Sequence, residues 1–282
     1  MRCLKNKSPK LKLSNTGKLT IFFSGTGSAF AKTLSQNNII IIKGNTHLAV
    51  DMGNKTPQTL YQYGLPVFQL QNFLITHSHA DHIGGLEEVM MFARYVTGRK
   101  PNLYITKEYK DILWNQSLRG GAGHSEYKNG HELRLADFWN IKHPQRLKKF
   151  FRHTWEFNLE GINIKIMRTK HIPDNVSSWR ESMWSCGVII NNRVFFTSDT
   201  RYDPELILEY DKFFNFEIIF HDCQFFTGGV HASLEEIKDL PAAVKKKTLL
   251  MHYGDNFQQY NSKIKKYGFK GFALQNHKYI FS

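Results

Sequence analysis

The sequence of 282 residues contains few cysteines and no long hydrophobic segment. Cys3, Cys186 and Cys223 are odd in number and widely spaced, which argues against a disulfide framework and fits a reducing compartment. No apolar run approaches the ~20 residues that a membrane-spanning helix needs. The first ten residues contain no apolar signal core, so we expect no secretion and a cytoplasmic location.

Acidic side chains are also scarce. The chain has 24 Asp and Glu against 38 Lys and Arg, which gives a formal net charge of +14 and a pI near 9.6. This imbalance favours an anionic partner, such as a polyanion or a phosphate-bearing small molecule. A lysine-rich surface that only serves solubility is the alternative, because charge by itself identifies no partner.

Residues 74–88 place four metal-competent side chains within six positions of the chain. Before them, Asn72–Thr76 predicts a short buried strand. After them, the spacing of apolar residues predicts a helix that begins at Ile83 or Gly84. The four side chains between strand and helix are His77, His79, Asp81 and His82.

The spacing of these four residues favours two metal positions. His77 and His79 stand two residues apart, so in an extended segment they face the same side and can reach one ion. Asp81 and His82 follow where the chain turns and can face a second ion. Imidazole and carboxylate ligands suit zinc, with manganese, iron or nickel as alternatives. A histidine-rich surface loop is the other interpretation, and a complete ligand set elsewhere in the chain argues against it.

Three further candidate ligands each follow a predicted strand. They are His171 after Ile162–Thr169, Asp199 after Val194–Thr197 and His252 after Thr248–Met251. Sheets in α/β proteins generally build their sites beyond the carboxyl ends of strands. Seven candidate ligands result, which is enough for two ions with room for a bridging water.

The pattern His-x-His-x-Asp-His, followed by a distant His, Asp and His, resembles the metallo-β-lactamase superfamily of binuclear metallohydrolases. The resemblance runs from about Leu19 to His252 and includes the segments Ser24–Ser28, Ala49–Gly53 and Thr197–Thr200. It implies an α/β fold of the four-layer αββα sandwich type. It also implies two divalent metal ions as cofactors, with Zn²⁺ ranked above Mn²⁺.

The resemblance assigns the ligands to two ions. It implies His77, His79 and His171 for one ion, Asp81, His82 and His252 for the other, and Asp199 as the bridging residue. Asp51 resembles the family's supporting carboxylate, which holds the ligand loop in place. A buried Asp51 that caps a turn before Gly53 is the alternative.

Gly229–Glu236 resembles the His-Ser-Thr-x-x-Glu segment of the phosphodiesterase branch of this superfamily, although Ala-Ser stands where that branch has Ser-Thr. The branch includes transfer-RNA 3′-processing endonucleases and cyclic-nucleotide phosphodiesterases. By this resemblance His231 is the candidate general acid, and a histidine in the turn before a helix is the alternative. Asp222 is expected to hydrogen-bond His231 or a ligand. Asp81 is the second candidate catalytic residue, because it can both bind metal and orient the nucleophile.

Residues 18–282 are predicted to form a single metallo-hydrolase domain, preceded by a basic, poorly ordered arm of residues 1–17. Residues 107–160 are predicted to be an insertion, because this stretch is too long for a simple loop. Basic and aromatic residues alternate around Lys142–Trp155. The insertion is either a lid, a substrate clamp or a homodimer contact, or an ordinary helical insertion with a solvated basic face.

These patterns predict a binuclear phosphodiesterase that attacks its substrate with a metal-bound hydroxide. The processing endonucleases carry a long RNA-gripping arm between the third ligand histidine and the bridging aspartate. Here only 27 residues (172 to 198) separate His171 from Asp199, which leaves no room for such an arm. A cyclic nucleotide or similar small nucleotide is therefore the favoured substrate. The alternatives are an RNA-processing ribonuclease and, in a different class, a nucleic-acid-binding protein with a vestigial metal site.

Overall fold

Two eight-stranded sheets, one two-stranded sheet and ten α-helices make up the computed structural model, which describes residues 1–282. The strands are β1 (Arg2–Lys5), β2 (Thr20–Gly25), β3 (Asn38–Lys43), β4 (Thr46–Val50), β5 (Asn72–Leu74), β6 (Asn102–Tyr104), β7 (Tyr127–Lys128), β8 (His131–Glu132), β9 (Asn140–Lys142), β10 (Gln145–Leu147), β11 (Thr154–Leu159), β12 (Ile162–Arg168), β13 (Cys186–Ile190), β14 (Val194–Phe196), β15 (Ile218–Asp222), β16 (Thr248–Met251), β17 (Gly271–Phe272) and β18 (His277–Ile280). The predicted α/β class is confirmed.

The helices are short. The α-helices are α1 (Thr56–Gln62), α2 (Ala80–Ile83), α3 (Leu86–Met91), α4 (Lys107–Leu113), α5 (Arg119–Ala122), α6 (Leu135–Phe138), α7 (Pro204–Phe214), α8 (Leu234–Ile237), α9 (Ala242–Lys245) and α10 (Asn261–Tyr267). The π-helical turns are Phe92–Thr97 and Trp114–Leu118, and the 3₁₀ turns are Val67–Gln69 and Phe257–Tyr260. None of these helices has both the length and the hydrophobicity needed to cross a membrane.

Each large sheet belongs to its own compact unit of the chain. The N unit comprises Arg2–Ser24, Asn38–Pro144 and Asn276–Ser282, and its sheet has the strand order β1-β18-β2-β3-β4-β5-β6-β9. The C unit comprises Gly25–Asn37 and Gln145–Gln275, and its sheet has the order β10-β11-β12-β13-β14-β15-β16-β17. The domain boundary that the sequence places at residue 18 stays a prediction.

Strand β3 shows why the sheet of the N unit forms. It contains four consecutive isoleucines and is buried along nearly its whole length, a pattern typical of strands that are covered on both faces. Strand β4 pairs with it in antiparallel register, with Lys43 opposite Thr46. Gly44 in the intervening turn has a φ of 61°, which glycine adopts without steric cost. Gly44 and Asn45 thus connect the two strands as a two-residue hairpin.

The expectation of a poorly ordered amino-terminal segment is wrong for Arg2–Lys5. These residues form strand β1, which pairs in antiparallel register with β18 at the edge of the sheet, so that Cys3 lies opposite Tyr279. All four side chains are exposed. Strand β1 is ordered by backbone hydrogen bonds to β18, which lies near the other end of the chain. Backbone hydrogen bonds do not require apolar side chains, so the sequence contains no hydrophobic pattern for this strand.

In the C unit, strands β14, β15 and β16 are parallel neighbours. Strand β12 is antiparallel to β13, which is antiparallel to β14, so β12 points in the same direction as the other three. The carboxyl ends of four strands therefore lie along one edge of this sheet. Helix α7 packs Leu206, Ile207 and Tyr210 into the same hydrophobic core as Phe195 of β14.

Residues 107–160 contain the helices α4, α5 and α6, and other parts of the stretch contribute strands to both units. The role of this stretch stays a prediction. Strand β9 of this stretch pairs in parallel with β6 in the N unit, while β10 and β11 form an antiparallel pair in the C unit. The strands are only three to six residues long, and polar side chains occupy their exposed positions. Short strands with several polar side chains give a weak two-residue hydrophobic period, so the sequence did not reveal them.

Two arginines of this stretch contact other side chains of the protein. The guanidinium of Arg152 is buried, and its Nη1 atom lies 3.0 Å from Oδ2 of Asp203. The guanidinium of Arg146 lies 4.6 Å from the ring centroid of Trp155. The hypothesis of a solvated or substrate-facing charge is therefore wrong for Arg152, whose charge stabilises the fold of the C unit.

Candidate metal-binding and catalytic residues

The metal-competent stretch of the N unit passes directly from an extended segment into helix α2. Atoms N of His82 and N of Ile83 donate to the carbonyl of His79, both at 2.9 Å, so the helix begins at Ala80. The predicted start at Ile83 or Gly84 is wrong, because the first turn is made of polar residues and lacks an apolar period. Asp81 and His82 consequently lie on a helical turn, where both are buried.

Asp51 holds this stretch by its carboxylate. Thr76 donates its backbone N–H to Oδ1 at 2.7 Å and its hydroxyl to Oδ2 at 2.8 Å. Nδ1 of His82 lies 2.7 Å from the same Oδ2. Burial raises the pKa of Asp51, and the contacts with His82 and Thr76 oppose that rise. The backbone N–H of Gly53 donates to Asn38 instead, so the turn-cap interpretation of Asp51 is wrong.

These bonds orient the imidazoles of the N unit. With Nδ1 of His82 bound to Asp51, its Nε2 lies on the other side of the ring, 3.3 Å from Oδ2 of Asp81. Nδ1 of His77 lies 3.1 Å from the Thr76 hydroxyl, and its Nε2 lies 3.0 Å from Nδ1 of His79. One nitrogen of each buried ring is thus held by a neighbour while the other faces a second metal-competent side chain, as in supported metal ligands.

The C unit collects its candidates at the strand edge described above. Asp199 follows β14, Asp222 ends β15 and His252 follows β16, and these are the three parallel neighbours. His171 follows β12, which points in the same direction. The prediction that these residues follow strands is confirmed, and the parallel arrangement explains why residues so far apart in sequence meet.

Asp199 lies at the centre of this group. Its Oδ2 atom is 3.4 Å from Nε2 of His252, 3.8 Å from Nε2 of His171 and 3.9 Å from Nδ1 of His231. Nδ1 of His171 lies 2.7 Å from the carbonyl oxygen of Val230, to which it donates its proton in this arrangement. That bond leaves Nε2 of His171 to face Asp199.

Asp222 connects two histidines of the C unit. Its Oδ2 atom lies 2.8 Å from Nδ1 of His231 and accepts the backbone N–H of Thr200 at 2.9 Å. Its Oδ1 atom lies 3.4 Å from Nδ1 of His252. Burial alone would raise the pKa of Asp222, but the neighbouring imidazoles of His231 and His252 outweigh burial and lower it. The hydrogen bond expected between Asp222 and His231 is present, while the catalytic roles of both stay predictions.

The backbone around these residues is strained at two positions. Ser198 and His252 have φ values of 52° and 59°, in the left-handed region that residues other than glycine rarely adopt. Such conformations cost about 1–3 kcal/mol each and cluster at functional sites, where surrounding contacts maintain them. Here they lie immediately before Asp199 and at a candidate ligand itself.

The donor chemistry of both groups fits a divalent cation. The C unit brings donor atoms of Asp199, Asp222, His231 and His252 within 4.8 Å of one another. The N unit supplies imidazole nitrogens and one carboxylate at the distances given above. Nitrogen and oxygen donors of this kind, with ring orientations set by second hydrogen bonds, are typical of zinc and manganese sites. Divalent metal binding is therefore supported.

A cavity of about 620 Å³ lies beside His231 and His252 within the C unit. Its apolar lining includes Phe225 and Tyr260, whose rings stack at a centroid distance of 3.9 Å and an angle of 7°. Phe30 and Phe226 also line it and are 86% and 67% exposed. Sequence reasoning identified no substrate-binding residues. The only local signal was the pair of phenylalanines at positions 225 and 226 shortly before His231.

Comparison with known proteins connects this geometry to one family. The family model described as Anti-Pycsar protein Apyc1 matches residues 19–279. A protein of that name from Bacillus phage BSP38 is 38% identical over 260 residues, which cover 91% of this chain and 96% of that protein.

Two solved structures show the fold. The metallo-beta-lactamase fold protein YhfI from Bacillus subtilis has a TM-score of 0.65 at 16% identity, covering 94% of this chain and 100% of that chain. The short form of human tRNase Z has a TM-score of 0.56 at 17% identity, covering 84% of this chain and 93% of that chain. These likenesses confirm the metallo-β-lactamase fold.

The family match and the fold together confirm the prediction of a metal-dependent hydrolase of the phosphodiesterase type. The family match spans nearly the whole chain and includes every candidate ligand, and the identity to the phage protein extends over 260 residues. The chain therefore belongs to the Anti-Pycsar protein Apyc1 family.

Proposed function

We propose that this chain is a binuclear metal-dependent phosphodiesterase that hydrolyses a cyclic nucleotide or a similar small nucleotide. One observation carries the proposal. His231 is held by the buried carboxylate of Asp222 at 2.8 Å, and it lines a cavity of about 620 Å³. A histidine that is oriented on one side and open to a cavity on the other has the placement that a general acid requires.

Seven residues are proposed to hold two ions, with Zn²⁺ ranked above Mn²⁺. The set is His77, His79 and His171 for one ion, Asp81, His82 and His252 for the other, and Asp199 for both. The ring orientations within each unit support this assignment, and the family match includes all seven positions. When bound, two such ions supply Lewis acidity that activates water and neutralises charge on a phosphate group.

His231 is proposed to supply the proton that the leaving oxygen needs. Its Nδ1–H donates to Asp222, so Nε2 is the nitrogen available on the opposite side of the ring. The side chain is 20% exposed, whereas those of Asp222 and Asp199 are 0% and 1% exposed. Asp222 keeps the ring in one orientation. Asp81 is proposed to orient the nucleophile in addition to binding metal.

The nucleoside part of the substrate is proposed to occupy the cavity. Flat aromatic side chains bind bases by stacking, which every base permits because each has a π face. The parallel rings of Phe225 and Tyr260 and the exposed ring of Phe226 provide such surfaces. The net charge of +14 attracts the anionic phosphate.

Membership of the family supports an anti-Pycsar role for this chain as well. A phosphodiesterase that removes a small nucleotide would meet its substrate in the cytoplasm, the location predicted from the sequence. A homodimer stays a hypothesis, and the following screen addresses the hypothesis of an RNA substrate.

The proposal is tested by a substrate screen with protein reconstituted with zinc or manganese. Cyclic nucleotides and short single-stranded RNAs are offered at equal phosphate concentration, and products are separated by chromatography. Opening of a cyclic phosphodiester to a nucleoside monophosphate is the expected result. Turnover of RNA alone would establish the ribonuclease alternative. Tight nucleic-acid binding without hydrolysis of any diester would establish the vestigial-site alternative.

A further inference from the structure

Residues 28–34 form a loop that supplies one wall of the cavity, and we call it the cavity loop. Its base is closed by backbone hydrogen bonds, from Gly27 N to the Ser35 carbonyl at 2.8 Å and from Ser28 N to the Tyr253 carbonyl at 3.0 Å. Ser28, Ala29 and Phe30 line the cavity. The loop is short of hydrophobic anchors at its tip, since Phe30, Lys32 and Thr33 are exposed.

The tip of this loop is held by one carboxylate that lies more than two hundred residues later in the chain. Asp255 accepts the backbone N–H groups of Lys32, Thr33 and Leu34 at 2.6, 3.1 and 3.1 Å. It also accepts the hydroxyl of Thr33 at 2.7 Å. Partial burial would raise the pKa of Asp255, but these four hydrogen bonds lower it to about 2. The carboxylate is therefore charged at neutral pH and remains a strong acceptor for three consecutive amides.

Asp255 also lies on a segment that contains other parts of the site. It follows His252 by three residues, and its neighbours Gly254 and Asn256 line the same cavity. The backbone N–H of Tyr253 donates to the carbonyl of Thr26 at 3.3 Å, which joins this segment to the residues that precede the loop. One short segment thus carries a candidate ligand, part of the cavity wall and the carboxylate that holds the cavity loop.

We propose that Asp255 is a positioning residue that holds the cavity loop, and with it Phe30, against the nucleoside part of the substrate. This inference rests on the proposed function. Loss of the carboxylate leaves the three tip amides without their acceptor while the base of the loop stays closed. The wall of the cavity then becomes mobile, and ordering it again on binding weakens affinity for a substrate that fills the cavity. Chemistry at His231 does not depend on that wall.

The test compares Asp255→Ala, Asp255→Asn and the control Asp111→Ala in the metal-loaded full chain. Asp111 is an exposed acidic residue that pairs only with its neighbour Lys110, so its removal changes net charge equally without touching the loop. Two substrates are used, a cyclic nucleotide and methyl 4-nitrophenyl phosphate, which has no nucleoside. Amide hydrogen exchange of residues 28–34 is measured on the same proteins.

Asp255→Ala is expected to raise KM for the cyclic nucleotide by roughly 10–150-fold, the scale of one lost hydrogen bond to a charged group, with kcat changed by less than about twofold. KM for the small diester should stay unchanged, and exchange of the loop amides should accelerate. Asp255→Asn keeps one acceptor oxygen and should lie between Ala and wild type. Asp111→Ala should match the wild type in every measurement.

An unchanged KM for the cyclic nucleotide in Asp255→Ala would overturn the inference. So would an equal fall in kcat for both substrates together with loss of metal, because Asp255 would then support His252 and not the loop. If Asp255→Ala does not fold, Asp255→Asn and Thr33→Val, which remove fewer bonds, give the same readout. If the wild-type protein hydrolyses neither diester, the proposed function itself is contradicted. If the wild-type protein is active and the Asp255 variants behave like it, only the role of Asp255 is contradicted.

Discussion

The pair formed by Asp222 and His231 allows a quantitative prediction. Asp222→Asn keeps the size of the side chain but replaces a charged acceptor of the His231 Nδ1–H by an amide, which can present its NH₂ group instead. A hydrogen bond to a charged partner contributes about 1.5–3 kcal/mol, so this variant should lose roughly 10–150-fold in kcat. His231→Ala removes the proton donor and should lose roughly 10²–10⁴-fold.

The double variant separates positioning from direct catalysis. If Asp222 acts through His231, Asp222→Asn should cost almost nothing further in the His231→Ala background, because the group it orients is absent. Independent roles would instead give additive losses of activation free energy. Asp222 also lies 3.4 Å from Nδ1 of His252, so metal content has to be measured for each variant.

The assay compares two leaving groups. In a cyclic nucleotide the leaving oxygen is an alkoxide, which needs a proton. Methyl 4-nitrophenyl phosphate instead releases 4-nitrophenolate, which is stable as an anion and needs no proton. The loss caused by His231→Ala should therefore be much smaller for the nitrophenyl ester. Equal losses for both substrates would refute the general-acid role. A simultaneous loss of metal would place His231 among the ligands, as its 3.9 Å distance from Asp199 permits.

Three further predictions follow from the structure. Protein reconstituted with zinc or manganese should hold close to two ions per chain by elemental analysis, and Asp199→Ala should lose metal and all activity; an absence of bound metal in the wild type would contradict the ligand assignment. Arg152→Ala leaves the buried carboxylate of Asp203 without its cation and should lower the free energy of unfolding by about 3–5 kcal/mol in urea titrations, whereas Lys148→Ala on the exposed surface should stay within about 0.5 kcal/mol. Hydrogen bonds from two lysines lower the pKa of Glu235 from its ordinary value of 4.5 to about 2, so its stabilising contribution is present above pH 4.5 and is lost as the pH falls towards 2. Glu235→Gln should therefore show a weaker drop of the urea midpoint between pH 5 and pH 2 than the wild type, and identical pH profiles would refute this account.

The ligand residues were readable from the sequence because their chemistry is local. His77 and His79 stand two residues apart on an extended segment, and this spacing alone places both imidazoles on one side of the chain. Asp199 and His252 were found because each directly follows a buried apolar run, and runs of this kind predict strands with little ambiguity. The hairpin at Gly44-Asn45 is local in the same sense, since its geometry depends on two residues.

Features that depend on distant partners were not readable. Nothing near Asp255 shows that it accepts three amides of a loop that lies more than 220 residues earlier, and Arg152 looked like a surface charge until its partner Asp203 was located. Helix α2 begins at Ala80 because backbone N–H groups donate to the carbonyl of His79. Such bonds are not visible as an apolar pattern in the sequence.

By itself, the sequence determined which side chains can bind metal and on which strand ends they lie, because short-range spacing and hydrophobic runs control both. Only the tertiary structure decided which neighbours orient those side chains. The bond between Asp222 and His231 depends on the order in which parallel strands β14, β15 and β16 associate, and the aromatic cavity depends on bringing Phe225 and Phe30 together. The physical reason is that strand order is a property of the whole folded chain, whereas residue spacing is present in every short segment.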